Sequence, residues 1–404
     1  MSESAVKKER KPRPAPRKKP VQETPEPLER SGKIDQPMLL LILLLLAIGL
    51  VCLFSASYAT ASESRSSDYS PIYYIRRQGM FALAGVAVML AVALSEFDYR
   101  KLHYAAIPLL LLAILLMATI KIPGIKNLWK TVNDATRWIQ VGGLPQFQPS
   151  ELAKFAVIVS FSSMACLLGK KKMHTLRYGI LPFMGIIGIF ALELYWEKHL
   201  SGTAIIAAIG MLIMFIGGAN ILWFVLGGVG VGAAGVWYIL SNEYAMTRIR
   251  VWLDPFSDYR GKGWQGAQSQ IAIGSGGFWG LGLGQSRQKH LYLPEPANDF
   301  IFSVWCEEMG FVGALLLIVL FALLIWRGYH IALHASDKFG TLLAAGITTQ
   351  FAIQTILNLC VVSGLLPVTG ASLPLFSYGG TSLLFQLGEL GILLKISKDM
   401  PVDS

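Results

Sequence analysis

Asp299 is the residue most able to do acid–base chemistry. It follows the proline-bounded segment Pro294-Glu295-Pro296-Ala297-Asn298 and directly precedes the apolar run Phe300–Val304. That placement puts it at the mouth of a helix, where the positive end of the helix dipole favours an ionised carboxylate. A charged carboxylate partly shielded from water suits a general base; an ordinary N-cap aspartate fits the same position. Glu307 lies eight residues on, about two turns deeper and within about 80° of Asp299 around a continuous helix. Glu308 points the opposite way, so of the two only Glu307 is expected to join Asp299.

A second group is basic. Arg137 precedes Trp138, while Arg248 and Arg250 lead into Val251-Trp252-Leu253-Asp254-Pro255. Guanidinium forks bind phosphate in bidentate fashion, so these residues suit a lipid-linked pyrophosphate; anchoring to anionic lipid heads is the plainer reading. Glu151 and Lys154 are three apart in a helix opened by Pro149, hence on one face and able to pair. Glu193, Glu197, Lys198 and His199 cluster at the end of another apolar stretch, and Glu389 lies inside a late one, where pairing between helices is the expected role. Pro367, Gly370, Pro374 and the run Ser377-Tyr378-Gly379-Gly380-Thr381-Ser382 interrupt the last apolar stretches. Broken backbone at membrane depth is tolerated only beside protein or a wet cavity, so a cleft is expected there, with close helix contact through small residues as the alternative.

The elements that must position these groups are transmembrane helices. A span needs about 20 apolar residues, and ten candidates lie near 36–58, 78–95, 103–121, 150–168, 179–195, 202–218, 221–240, 301–326, 341–363 and 373–396. The fold class is therefore all-α and polytopic. Basic residues at Arg100–Lys101, 169–177, Arg327–Lys338 and Lys395–Lys398 place both termini in the cytoplasm; Lys and Arg in the 121–148 loop count against this. A large extracytoplasmic loop is predicted over about 241–300. Its many aromatics argue for amphipathic pieces on the membrane surface. The organisation is a basic disordered tail over 1–35, a membrane domain over 36–398 and a short cytoplasmic end over 399–404.

Composition agrees. The chain has 404 residues, 53% of them hydrophobic and 15% charged, well below the roughly 25% charge of soluble domains. The net charge is +10, and the first 33 residues hold Lys and Arg mixed with Pro and Glu, a composition that cannot fold alone. That tail has almost no aromatics to stack bases, so no nucleic acid is called for. It can orient the first helix, meet anionic membrane lipids or dock a partner. Cys52, Cys166, Cys306 and Cys360 show no CxxC spacing and read as small buried residues rather than disulfides or metal ligands.

Six blocks in order carry a resemblance over about residues 36–397: RWIQVGGLPQFQPSELAK (137–154), HLSGTA (199–204), RIRVWLDPF (248–256), GWQGAQSQIAIGSGGFWGLGLGQS (263–286), YLPEPANDFIFSVWCEEMGFVGA (292–314) and LPVTGASLPLFSYGGTS (366–382). The chain resembles the SEDS family, whose members include FtsW, RodA and SpoVE, and looks nearer the division type than the elongation type. The resemblance implies a peptidoglycan glycosyltransferase in the bacterial cytoplasmic membrane at the division septum, joining lipid II units by inverting transfer. It puts the essential aspartate at Asp299. Substrate contacts are expected at Arg137, Glu151, Lys154, Arg248, Arg250, Gln268, Glu307, Ser377 and Tyr378. It departs from the family at Asn298 and Ala297, where Thr and His are common, and at Lys198, to which no role is assigned. The implied partners are a class B penicillin-binding protein transpeptidase and other divisome proteins. No cofactor is required by the sequence, although a divalent cation, Mg or Mn, would suit the leaving pyrophosphate. A lipid II flippase and a non-catalytic divisome scaffold are the alternatives.

Overall fold

The computed structural model describes residues 32–64, 67–121, 129–132, 135–140, 146–197 and 199–401. The basic tail up to residue 31, much of the 121–148 loop, Lys198 and the final three residues lie outside the described set. Fourteen regular elements follow in order: α1 (Gln36–Glu63), α2 (Tyr73–Leu94), α3 (Leu102–Ala118), the hairpin strands β1 (Trp129–Val132) and β2 (Ala135–Ile139), α4 (Pro149–Met173), α5 (Leu181–Trp196), α6 (Leu200–Gly217), α7 (Ile221–Ser241), α8 (Glu243–Leu253), α9 (Trp264–Ser275), α10 (Ile301–Leu333), α11 (Lys338–Val362) and α12 (Gly380–Lys398). Eight helices among the described residues are long and apolar enough to cross a membrane. The remaining two expected spans coincide with α7 and α12.

Two helices form the axis of the bundle. In α4 and α11, 67% and 72% of the apolar stretch is buried, against 17% in the segment containing α3. The outer helices turn Ile107, Leu111, Leu115, Leu315 and Leu316 outward. An apolar surface of that extent needs lipid rather than water around it.

The two ends of the bundle differ. At one end, Arg327 pairs with Asp35 at 2.6 Å, and Asp35 accepts the Met38 amide to cap α1. Arg100 reaches Asp337 at 2.9 Å and Asp399 at 3.5 Å. These pairs join the start of α1, the α2–α3 turn, the α10–α11 turn and the end of α12. The basic segments gather here, with Lys338 on the Ala165 carbonyl and Lys395 on that of Ser95. At the other end α2, α4, α6 and α12 begin, and the chain does not stay helical.

The predicted 241–300 loop contains α8, a 3-10 turn over Pro255–Asp258 and α9. Beyond α9 the chain lies against a break in α10. Gly310 has φ 64° there, and a Cβ on it would approach the Gly280 amide nitrogen to 2.3 Å. The loop bonds to the opened helix backbone: Leu281 N–H donates to the Glu307 carbonyl at 3.0 Å, and Phe311 N–H to that of Gly277 at 2.9 Å. Side chains complete the attachment. Glu308 accepts from Lys289 Nζ at 2.9 Å and from Ser55 Oγ at 2.6 Å, so α1, α10 and the loop share one buried ion pair.

Glu307 is a correction to the sequence reading. Glu307 would share a face with Asp299 only on one continuous helix, but α10 starts at Ile301 with Phe300 at the N-cap position and no side-chain cap. Glu307 turns to the loop instead, accepting the Arg287 and Gln288 amides at 3.0 and 3.2 Å and the hydroxyls of Ser275 and Ser286.

Removing one partner of a buried pair leaves an uncompensated charge, which costs about 3–5 kcal/mol. Lys289→Met should lower thermal stability in detergent by that order, and adding Glu308→Leu should recover most of it. A single variant melting like wild type would contradict this account.

Candidate functional site

A cavity of about 800 Å³ opens where the bundle loses its helical regularity. Its walls come from the start of α2, β2, the first turn of α4, the start of α6, Arg248 of α8, the segment before α10, the end of α11, the irregular chain over 368–379 and the start of α12. The interrupted backbone foreseen at Pro367–Ser382 forms one side of this space.

Asp299 is held there by its own main chain. Asn358 Nδ2 donates to the Asp299 carbonyl at 2.8 Å and to that of Ala371 at 2.7 Å. Ser377 Oγ donates to the Asn298 carbonyl at 2.7 Å, and Tyr378 N–H to that of Ala297 at 2.9 Å. The carboxylate reaches over Gly370, which has φ 73°; a Cβ on that glycine would stand 3.1 Å from Asp299 Oδ2 and 3.8 Å from Arg137 Nη1. Gly370 thus leaves room for the acid and the guanidinium to meet. Burial, reinforced by the negative charge of Glu295, raises the Asp299 carboxyl to about 6, while Arg137 pulls it down.

Arg137 extends from β2, with its Nε 3.5 Å from the Glu197 carbonyl oxygen. Burial lowers the proton affinity of its guanidinium, and the charges of Asp299 and Glu197 oppose that shift. On the α4 wall, Lys154 Nζ pairs with Glu151 Oε1 at 2.9 Å. The other Glu151 oxygen is buried without a hydrogen-bond partner among the described residues, and the residue lines the cavity.

Seven of the ten expected site residues therefore share one space: Asp299, Arg137, Glu151, Lys154, Arg248, Ser377 and Tyr378. Three do not. Arg250 is absent from the lining; it follows Arg248 by two residues, about 200° around the helix, so the two face opposite ways. Gln268 is buried with its amide on the Tyr259 hydroxyl at 2.8 Å; Gln265, one turn earlier, takes the lining position. Glu307 is engaged with the loop, as described above. Sequence reasoning missed Arg77, Glu295 and Gln354, which also line the cavity, as does His199 from the ionisable cluster at the end of α5. An arginine at the start of an apolar stretch was the available signal for Arg77; Gln354 carried none.

Among the described residues no group of three or more His, Cys, Asp or Glu is placed to hold a metal ion.

Fold and site together define a polytopic membrane protein with a polar, cation-lined cavity at one end of its helical bundle. The FtsW/RodA/SpoVE family model, described as cell cycle protein, matches residues 36–401, and the chain belongs to that family. A probable peptidoglycan glycosyltransferase FtsW from Trichlorobacter lovleyi is 37% identical over 370 residues, covering 91% of this chain and 94% of that protein. Stage V sporulation protein E of Bacillus subtilis is 38% identical over 365 residues, with 90% and 97% covered. Among solved structures, a chain of a peptidoglycan synthase complex that coordinates polymerization and crosslinking superposes with a TM-score of 0.73 at 26% identity, covering 92% of this chain and 99% of that one. Thermus thermophilus RodA shares the fold, with a TM-score of 0.63 at 24% identity over 91% of this chain and 97% of that one.

A base must be ionised to accept a proton. With its carboxyl near 6, Asp299 is ionised at neutral pH and becomes protonated as the pH falls. A reaction that uses it should lose about tenfold in kcat/KM per pH unit below that point. A pH–rate profile level through the acid range would exclude Asp299 as the base.

Proposed function

We propose that this protein polymerises lipid II into glycan strands by inverting glycosyl transfer at the outer face of the bacterial cytoplasmic membrane, during septal wall synthesis. The observation that carries this reading is Asp299 beside Arg137 in a cavity also reached by Lys154 and Arg248. The names of the relatives support the same reading. The gathering of basic segments at the opposite end supports cytoplasmic termini, because positive loops stay inside.

In the reaction the 4-hydroxyl of one lipid-linked disaccharide attacks the anomeric carbon of another. Asp299 takes the hydroxyl proton as the new glycosidic bond forms. The bond to undecaprenyl pyrophosphate breaks on the opposite face, and the departing diphosphate keeps the electron pair. Arg137 and Arg248 are placed to offset that charge, which a partly desolvated site makes more effective than in water. One base and a stabilised leaving group are enough for a single displacement; no carboxylate nucleophile is needed. Glu151 and Lys154 orient the incoming sugars. The partner expected is a class B penicillin-binding protein, which would crosslink the strand as it emerges; other divisome proteins and membrane lipids would meet the tail and the outer surfaces.

A general base contributes about 10²–10⁴-fold. Asp299→Ala and Asp299→Asn should lose at least that factor in polymerisation of purified lipid II, with and without the transpeptidase, while remaining folded in the membrane. Wild-type levels of polymer from either variant would sink the assignment. Translocation of lipid II in sealed vesicles, with no polymer from the wild type, would favour the transporter instead.

A further inference from the structure

Behind Arg137 stands an acid that the displacement does not use. Glu197 closes α5, its side chain is fully buried, and neither carboxylate oxygen has a hydrogen-bond partner among the described residues. A buried carboxyl without a partner is rare enough to require a cause. Its surroundings supply one: Arg137, which lines the cavity with Asp299, stands with its Nε 3.5 Å from the Glu197 main-chain oxygen and interacts with the charges of both acids.

We propose that Glu197 is a positioning residue that acts through Arg137: as a neutral acid it leaves the guanidinium charge to the cavity, and as a carboxylate it draws that charge away from the departing diphosphate. The inference rests on the transferase reading above.

The charged groups facing this pair among the described residues come from several elements. Glu193 stands one turn earlier on α5, Arg137 on β2 and Asp299 before α10. His199, in the α5–α6 turn, feels Arg137 and Lys154 and is held neutral by its burial and by those two cations. Burial raises the Glu197 carboxyl to about 8; Arg137 opposes the shift and Glu193 adds to it. The direction follows. At neutral pH Glu197 carries its proton and Arg137 faces the cavity with its full charge. Above about 8 Glu197 ionises, Arg137 is shared, and the grip on the diphosphate weakens. The acid limb belongs to Asp299 and the alkaline limb to Glu197.

The test is lipid II polymerisation by the full-length protein and by Glu197→Gln, with kcat and KM followed through both limbs. The wild type should show a rise in KM at alkaline pH on the order of tenfold, the size of one lost charge-assisted hydrogen bond. Glu197→Gln should keep a low KM there, with the acid limb unchanged. An alkaline rise of equal size in both proteins, or none in the wild type, overturns the proposal. Should Glu197→Gln not fold, infrared titration of the wild type with isotope-labelled glutamate decides: a protonated glutamic acid signal that persists at neutral pH and is lost on the alkaline side supports the inference, and its absence at neutral pH overturns it. Failure of the transferase reading is seen separately, as polymer from Asp299→Asn.

Discussion

A helical bundle in lipid can leave its helices only where something else satisfies the backbone, and this structure depends on how it meets that requirement. The chain over 297–299 and the chain over 371–378 are both irregular, and they bond to each other. The Asn358 amide bridges them, while Ser377 and Tyr378 close the pairing. Each unsatisfied amide or carbonyl in hydrocarbon would cost several kcal/mol, so the two segments are stable only as a pair. The cavity is the space that this pairing leaves open, and Asp299 is carried into it by its own backbone rather than by a helix cap.

The electrostatics follow from that enclosure. Removing the Asp299 carboxylate from water raises its proton affinity, and Arg137 moderates the shift without abolishing it. The result is an acid that stays ionised at neutral pH yet holds protons more strongly than a surface aspartate. Arg137 owes its place to a hairpin outside the membrane helices, and its second acidic neighbour, Glu197, to the end of α5. Three separate parts of the chain thus set the charge balance at one point.

The approach to Asp299 is fixed by a different device. Glycines at 280 and 310 allow the long loop to lie directly on an interrupted helix, backbone against backbone. The Glu308–Lys289 pair and the amides gathered by Glu307 hold it there. The acids of α10 therefore stabilise the loop that leads to the site, and their burial reflects structure rather than chemistry.

Much of this was legible in the sequence. Apolar stretches of spanning length, basic segments between them and the six blocks identify the family and its helical class. The i, i+3 spacing of Glu151 and Lys154 specifies their pairing, because neighbours on a helix face are set by local geometry alone. The glycine and proline interruptions near 370 foretell a cleft, since broken backbone needs cover. What the sequence could not decide was which side chains face that cleft. Arg248 does and Arg250 does not, because the direction of α8 selects one of two residues on opposite faces. Glu307 looked like a partner of Asp299 only if a single helix held both, and the chain breaks helical register between them. The placement of Glu197 behind Arg137 joins residues 60 positions apart. Spacing along a chain carries local geometry; the meeting of distant segments is set by packing, and only the tertiary structure decides it.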